Sequence, residues 1–394
     1  MSDEAPQARI GDVPVFLFVR GLALLVVMSS VIVGVHYYLG ARLIVGAALP
    51  QPFASLAWTM LWVFFASIFL GFLGGRLLPR AIARVAQWFG FIWMGAFGLL
   101  FVSTAVSDLV LFIAERFFAQ DVSGWGPARA LAVLAVVLPA LSYGFVISAR
   151  PKTKRVTVTI PGLDKSLDGF RIAQISDVHI GETLSRQFAQ QVADQVNALE
   201  PDAVAVTGDM IDGSVAKLHD EVAPLGGLRG KHGVFYVTGN HEYYHGGSAW
   251  EAEARRLGFT VLHNEHRVIA DGKLVIGGVT DVEGARFSDA HAPRVDHAFA
   301  EAPAGVPRVL LAHQPRFAKR AKESKVSLML SGHTHGGQID LPLLRRAGPA
   351  HPGARVRMGS TTLLVSRGLG SIGVPLRVRA PTEIVVVELA RAAA

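Results

Sequence analysis

The chain has 394 residues, of which 51% are hydrophobic and only 18% are charged, and its mean hydropathy is +0.38. It contains no cysteine, which excludes disulfides, zinc ribbons, iron–sulfur clusters and thiol catalysis. The net charge of +7 is not gathered into a dense basic run, so the sequence disfavours nucleic acid as a partner and favours a membrane surface.

The charged residues divide the chain near residue 150. The first 150 residues hold only 15 charged side chains, whereas the remaining 244 hold 54 of them and 13 of the 14 histidines. Soluble proteins carry about 25% charged residues, so only the second part has the composition of a soluble domain. We predict an all-helical transmembrane domain over residues 1–149, a basic linker over 150–155 and an α/β domain over 156–394.

The first part contains apolar stretches of bilayer length, at about 13–39, 53–75, 86–113 and 130–148. Each is close to the roughly 20 residues that cross a bilayer as a helix. No small-residue cleavage site follows the first stretch, so we interpret it as an anchor and not as a removed signal. His36 and Asp108 lie near the ends of predicted spans, where water can reach them, and we do not interpret them as a transport path.

The loops between the predicted spans differ in positive charge. Nine Lys and Arg side chains flank one side of the spans and three flank the other. The positive-inside rule therefore predicts that both termini and the whole α/β domain are cytoplasmic, on the inner face of the cell (inner) membrane.

Short apolar, β-branched runs in the second part predict nine strands, at 156–160, 171–176, 203–207, 233–238, 273–278, 308–312, 327–330, 362–366 and 384–389. Helical patterns lie between some of them, at 185–199, 248–256 and 314–323. Strands that alternate with helices are typical of a layered α/β architecture with its site at the strand ends.

Polar segments follow five of these strands directly. Two of them, Asp177-Val178-His179 and His333-Thr334-His335, carry a ligand-type side chain at both positions i and i+2, so that the two side chains can bind one ion. The other segments are Gly208-Asp209, Gly239-Asn240-His241 and His313. Aspartate, histidine and asparagine without cysteine form a ligand set that suits Mn, Fe, Co or Zn.

These five segments, in this order over residues 177–338, resemble the calcineurin-like metallophosphoesterase family, and the tail at 366–370 resembles its bacterial, membrane-associated branch. The resemblance implies a four-layer α/β/β/α sandwich that hydrolyses phosphoester or pyrophosphate bonds. It also implies two divalent metal ions (Mn, Fe, Zn or Co): one bound by Asp177, His179 and His335, one by Asn240, His313 and His333, and both by Asp209.

Two further residues are candidates for direct roles in the reaction. The resemblance implies that hydroxide held between the ions attacks phosphorus, while His241 stabilises the developing charge or protonates the leaving oxygen. Arg367 lies in a glycine-flanked loop after an apolar strand. It is predicted to reach a substrate phosphate, and the alternative is a structural ion pair.

Other polar residues near these segments have plainer interpretations. Asp212 is interpreted as a carboxylate that orders its loop, and Glu242 as a supporting or solvated side chain. The neighbours 243–245 are interpreted as loop packing, with substrate contact as the alternative. Several histidines show no ligand spacing and are interpreted as surface residues: His263, His266, His291, His297 and His351.

The stretch 339–349 bears on the substrate. It contains three leucines followed by Arg345 and Arg346, which suits contact with anionic lipid, although a loop packed on the domain would also fit. We predict the lipid bilayer and a phosphoester substrate, lipid-linked in the favoured interpretation, as the partners. The alternative is a membrane sensor or scaffold that binds ligand without efficient turnover. The presence of both Asp209 and His241 favours the enzyme.

Overall fold

A computed structural model describes residues 15–338, 353–374 and 376–392. The chain divides into two compact units, Met1–Ser142 and Tyr143–Ala394. The stretch 339–349, with its leucines and Arg345 and Arg346, lies outside the described residues, as does His351.

The helical part contains four helices that are long and apolar enough to cross a membrane: α1 (Val15–Gly40), α2 (Phe53–Leu77), α3 (Arg80–Phe118) and α4 (Gly126–Ala149). Each overlaps one of the predicted spans, so four spanning helices by length and composition are confirmed. Helix α3 extends beyond the predicted 86–113 at both ends. Polar and basic residues such as Arg84 and Arg116 break the apolar run without breaking the helix, because Arg, Gln and Glu are good helix formers.

His36 is fully buried within the helical unit and is not exposed at the end of its helix. Its Nδ1 atom donates to the Ile32 carbonyl oxygen at 2.8 Å, and the Trp93 indole Nε1–H donates to its Nε2 atom at 3.0 Å. Its ring also stacks on Phe97 with a centroid separation of 4.3 Å. Protein groups therefore satisfy His36, and our expectation that water or headgroups do so is corrected.

Asp108 is held by two arginines and a tyrosine. Its carboxylate lies 2.9 Å from Arg42 Nε and 2.8 Å from Arg129 Nη1, and it accepts from the Tyr38 hydroxyl at 2.8 Å. Protein side chains therefore pair the Asp108 carboxylate, where water or headgroups were expected to do so.

The second unit is built on two six-stranded mixed sheets. In the first sheet the strand order is β1-β12-β2-β3-β4-β5: β1 (Lys152–Ile160), β12 (Glu383–Arg391), β2 (Arg171–Ile175), β3 (Ala203–Thr207), β4 (Val234–Val237) and β5 (Thr260–Val261). In the second it is β10-β11-β9-β8-β7-β6: β10 (Arg355–Met358), β11 (Thr361–Val365), β9 (Leu328–Ser331), β8 (Arg308–Leu311), β7 (Leu274–Gly278) and β6 (Glu265–Ile269). Strands β2 to β5 are parallel to one another, as are β7, β8, β9 and β11.

The two sheets pack face to face, and helices cover their outer faces. Residues such as Ile172, Phe235 and Val309 fill the core between the sheets. The first sheet is covered by α5 (Arg186–Asn197), α6 (Val215–Val222) and α8 (Gly247–Arg256), and the second by α9 (Val295–Ala298) and α10 (Ala318–Glu323). This is the four-layer α/β/β/α sandwich that the resemblance implied.

All nine predicted strands are present, and three short strands were missed: β5, β6 and β10. Strands β6 and β10 lie at sheet edges and carry charged, half-exposed residues, so they lack the continuous apolar pattern of buried strands. Strand β1 begins at Lys152, inside the segment interpreted as a linker, because its backbone pairs with β12 from Glu383 onward.

Candidate metal centre

The predicted site segments all lie at the carboxyl ends of parallel strands. Asp177 and His179 follow β2, Asp209 follows β3, and Asn240 begins the short helix α7 (Asn240–Tyr244) after β4. The second sheet contributes a segment after β8 and another after β9. Because neighbouring parallel strands end at the same edge of a sheet, these segments converge.

The first group of side chains comprises Asp177, His179 and His335, all buried. One donor atom from each lies within 4.8 Å of the others. His335 Nε2 is 3.3 Å from Asp177 Oδ1 and 3.1 Å from His179 Nε2.

The second group surrounds His313. Its Nε2 atom lies 3.1 Å from Asp209 Oδ2, 3.2 Å from Asn240 Oδ1 and 3.2 Å from His333 Nδ1. Asp209 Oδ2 is also 4.0 Å from His179 Nε2, so this carboxylate lies between the two groups. The structure thus brings all seven predicted ligands together, while their assignment as ligands remains a prediction.

The donor set around His313 fits a cation. His313 Nδ1 donates to the Thr207 carbonyl oxygen at 2.8 Å, so in the neutral ring Nε2 carries a lone pair. That lone pair faces the oxygens of Asp209 and Asn240, which are also acceptors. Three buried acceptors that point at one another are costly unless a positive charge lies among them.

The charges of the site act in the same direction. Burial alone would lower the pKa of His179, but the carboxylates of Asp212 and Asp209 outweigh it and raise the pKa to about 9. Burial likewise opposes protonation of His313, whose pKa is nevertheless raised well above its usual value by Asp209. The buried carboxylates therefore favour positive charge at this position, whether it is supplied by protons or by metal ions.

The backbone of the site segments is strained. Asp177, His179 and Asp209 have φ of 51°, 51° and 52°, and His333 and His335 have φ of 70° and 50°. Non-glycine residues in this left-handed region cost of order 1–3 kcal/mol each and cluster at functional sites. The strain falls on five of the seven predicted ligands, which favours these turns as a candidate functional site.

Asp212 holds two histidines of the site. Its Oδ1 atom accepts from His179 Nδ1 at 2.8 Å and from His241 Nδ1 at 2.5 Å. The sequence interpretation of Asp212 as a loop-ordering residue missed this contact. The two contacts span 33 and 29 residues of sequence, so no local pattern signals them.

Glu242 is fully buried and is not solvated. Its carboxylate accepts from the backbone N–H groups of Gly239, Asp209 and Met210 at 2.6, 3.0 and 2.7 Å. It therefore joins the turn after β3 to the turn after β4, and so fixes Asp209 relative to Asn240.

Arg377 was missed entirely, because no ligand pattern surrounds it in the sequence. Its guanidinium is buried and lies 3.2 Å from both Nδ1 and the carbonyl oxygen of His335. It also donates to the carbonyl oxygens of Arg367, Gly370 and Ala380. The side chain thus ties the loop that carries His335 to the segment 367–380.

The remaining candidates lie around this centre. Arg367 follows β11, and its side chain passes closely over Gly336 and Gly353, beside the turn of His335. Tyr243 is buried, which agrees with its interpretation as packing, whereas Tyr244 is exposed. His297 is exposed as interpreted. His263, His266 and His291 are partly exposed, and each also makes a hydrogen bond.

Comparison with known proteins agrees with this geometry. The sequence profile described as "Calcineurin-like phosphoesterase" matches residues 170–337. The chain is 38% identical to an uncharacterized metallophosphoesterase of Helicobacter pylori over 245 residues, which is 61% of this chain and 64% of that protein. It is 31% identical to a transmembrane protein with metallophosphoesterase domain of Danio rerio over 307 residues, 74% of this chain and 70% of that protein. The chain therefore spans a little under two thirds of the length of the Helicobacter protein.

Proposed function

Because the chain belongs to the calcineurin-like phosphoesterase family, we propose that it hydrolyses a phosphoester or pyrophosphate bond at the centre between its two sheets. The observation that carries the proposal is the convergence of seven ligand-type side chains, described above, around two neighbouring points. Asp209 lies between those points and would contact both ions.

We assign the first ion to Asp177, His179 and His335. The second ion is assigned to Asn240, His313 and His333, and Asp209 is shared. Two divalent ions bound there, of Mn, Fe, Zn or Co, would supply a hydroxide nucleophile near neutral pH and neutralise charge on the phosphoryl oxygens.

We assign proton transfer to His241. Its Nδ1–H is held by Asp212, so Nε2 is directed inward, 4.0 Å from Asp209 Oδ2. Its ring is 18% exposed, so it can contact a bound substrate. In the doubly protonated ring, whose positive charge Asp212 stabilises, Nε2 gives its proton to the leaving oxygen. This transfer accompanies formation of the bond from hydroxide to phosphorus and cleavage of the bond from phosphorus to the leaving oxygen.

A membrane-associated substrate is the class we favour. The residues 143–149, at the end of the apolar helix α4, belong to the same compact unit as the centre. There the Gly144 carbonyl oxygen accepts from Arg377 N at 3.4 Å, and the Arg377 side chain contacts His335. Because the chain carries four helices that are long and apolar enough to cross a membrane, the proposed substrate is a lipid-linked phosphoester, with Arg367 as a contact to its phosphate. The positive-inside count supports a cytoplasmic centre at the inner membrane.

The test uses the purified full-length chain in detergent. Aryl phosphomonoester, aryl phosphodiester and lipid pyrophosphate are offered with Mn²⁺ or with chelator, and His241→Asn is compared with the wild type. We expect metal-dependent turnover that falls about 100-fold or more in the variant, the usual size of general-acid catalysis. His232→Gln, an exposed histidine outside the centre, serves as the matched control.

The substrate panel also distinguishes the alternative function. Turnover that is much faster on the lipid substrate supports the lipid-linked class. Metal-dependent binding of all three substrates without turnover of any of them would contradict the enzyme and favour a membrane sensor or scaffold.

A further inference from the structure

A second cluster of ligand-type side chains lies outside the centre described above. It comprises Glu251 on helix α8, His263 after strand β5 and His291 in the short 3-10 helix Asp289–His291. One donor atom from each lies within 4.8 Å of the others. The three residues come from separate elements, and no motif joins them in the sequence.

Both imidazoles turn the same nitrogen toward the same oxygen. His263 Nδ1 is 2.8 Å and His291 Nδ1 is 3.9 Å from Glu251 Oε1. Each opposite nitrogen meets an acceptor: His263 Nε2 donates to the Ala290 carbonyl oxygen at 2.9 Å, and His291 Nε2 lies 3.4 Å from Ser248 Oγ. Metal-bound histidines show this arrangement, because a hydrogen bond at one ring nitrogen directs the lone pair of the other at the ion.

From this geometry we infer that Glu251, His263 and His291 form a third metal site, which takes Zn²⁺. Two imidazoles and one carboxylate are a zinc ligand set, with a fourth position left for water. Bonds of about 2.0–2.2 Å in tetrahedral geometry place donor atoms roughly 3.3–3.5 Å apart. The observed 2.8 and 3.9 Å lie on either side of that range, so small side-chain rotations suffice.

The burial of the three side chains suits an ion that enters from solvent. The Glu251 side chain is 7% exposed, whereas those of His263 and His291 are 25% and 18% exposed. The second carboxylate oxygen, Oε2, lies 3.4 Å from Arg255 Nη2, which leaves Oε1 for the ion. Arg255 therefore holds one carboxylate oxygen of Glu251, and the other oxygen faces the two histidines.

The competing explanation is an ion pair without metal. A protonated His263 would donate to Glu251 Oε1, and the Tyr243 hydroxyl would donate to His291 Nδ1 at 3.1 Å. The chain supplies a comparison for this case in His219 and Glu253, which form a His–Glu pair at 3.1 Å. Among the described residues, this pair belongs to no group of three ligand-type side chains. The two explanations differ in whether an ion replaces the proton.

Zinc at this position would join three elements that the chain connects only through loops. It would hold helix α8, the turn after β5 and the segment that follows β7 together. Tyr243 lies on helix α7 with Asn240 and His241, and its ring packs edge-on against the His291 ring at a centroid separation of 5.5 Å. In a chain without cysteine, such an ion would stabilise the structure in place of a disulfide.

The test counts zinc in purified, full-length protein after dialysis against buffered Zn²⁺. His263→Gln and His291→Gln should each contain one ion fewer per chain than the wild type, while His219→Gln keeps the wild-type number. Zinc should also raise the melting temperature by roughly 5–10 °C more in the wild type than in His263→Gln, at free zinc about 100 times its Kd.

An unchanged zinc count in both variants would overturn the inference and leave the ion pair. If the variants do not purify as folded protein, a zinc anomalous difference map of wild-type crystals decides: a peak between the three side chains supports the site, and its absence there refutes it. Asp209→Asn separates this inference from the proposed function, because it should impair the centre between the sheets and retain the ion at Glu251.

Discussion

Asp212 orients a predicted metal ligand and the predicted proton donor together. It accepts from His179 and His241 at once, and its own pKa is held below the usual value because those histidines outweigh the effect of burial. A carboxylate behind a ligating histidine fixes the ring orientation and the tautomer. Asp212 is therefore a positioning residue for both histidines.

Removal of this carboxylate should weaken metal binding and catalysis together. We expect Asp212→Ala to lower metal affinity and kcat/KM by about 10–100-fold, the usual effect of losing such a partner. Asp212→Asn keeps an acceptor oxygen and should recover part of the loss. Titration with Mn²⁺ and turnover of an aryl phosphodiester measure both quantities. Asp220→Ala, at an exposed position on α6, should match the wild type.

Gly332 allows two site segments to approach each other. A Cβ atom at this position would overlap Asp177 Oδ2 and Ser176 Oγ. We expect Gly332→Ala to displace Asp177 and to remove metal-dependent turnover. The control is Gly227→Ala, where no atom lies within 4 Å of the added Cβ. Wild-type metal affinity in Gly332→Ala would show that Asp177 does not bind the ion in this position.

At the scale of elements, strand β12 pairs with two strands of the first sheet and also contacts the loop that carries Arg367. It lies between β1 and β2, parallel to β1 and antiparallel to β2. Glu383, at its start, accepts from Arg367 N at 3.1 Å. The strand therefore supports the loop after β11 as well as the sheet.

The packing of β12 can be tested with a matched pair of isoleucines. Ile384 is fully buried in the core beneath the outer helices, whereas Ile372 is 48% exposed. Ile384→Ala should cost about 2–5 kcal/mol by leaving a cavity, and should lower the melting temperature of the second unit by roughly 5–15 °C. Ile372→Ala should shift it little. Scanning calorimetry measures both, and equal shifts would contradict the assigned burial.

The strands, and the polar segments that follow them and converge, could be predicted because both are local signals. Buried parallel strands are continuous apolar runs, and each ligand segment follows such a run directly. Edge strands β6 and β10 were not predicted, because half-exposed strands with charged residues have no continuous apolar run. Arg377 and the group of Glu251, His263 and His291 were not predicted, for a different reason. Their contacts join residues far apart in sequence, and only the packed fold brings them together.

At the scale of the whole molecule, the distribution of charge predicts which side of the membrane the catalytic unit occupies. The chain has no cysteine, so single introduced cysteines can be labelled selectively. We choose Ser123→Cys, in the loop between α3 and α4, and Glu301→Cys, in the second unit; both positions are exposed. These two residues are predicted to lie on opposite sides of the membrane.

A membrane-impermeant maleimide should label Ser123→Cys in intact cells, and Glu301→Cys only after the cells are permeabilised. The prediction follows from nine positive charges on one side of the spans against three on the other. Labelling of Glu301→Cys in intact cells would place the catalytic unit outside the cytoplasm and contradict the orientation.

The two-ion centre is the central claim, and Asp209 tests it most directly because it is the residue assigned to both ions. The measurement is turnover of an aryl phosphodiester by the wild type and by Asp209→Asn, each titrated with Mn²⁺ after chelation. We predict that chelation abolishes wild-type activity, that Mn²⁺ restores it, and that Asp209→Asn loses at least about 1,000-fold in kcat/KM, as expected when charge stabilisation is removed. Wild-type turnover in Asp209→Asn, or full activity in chelator, would contradict a shared two-ion centre.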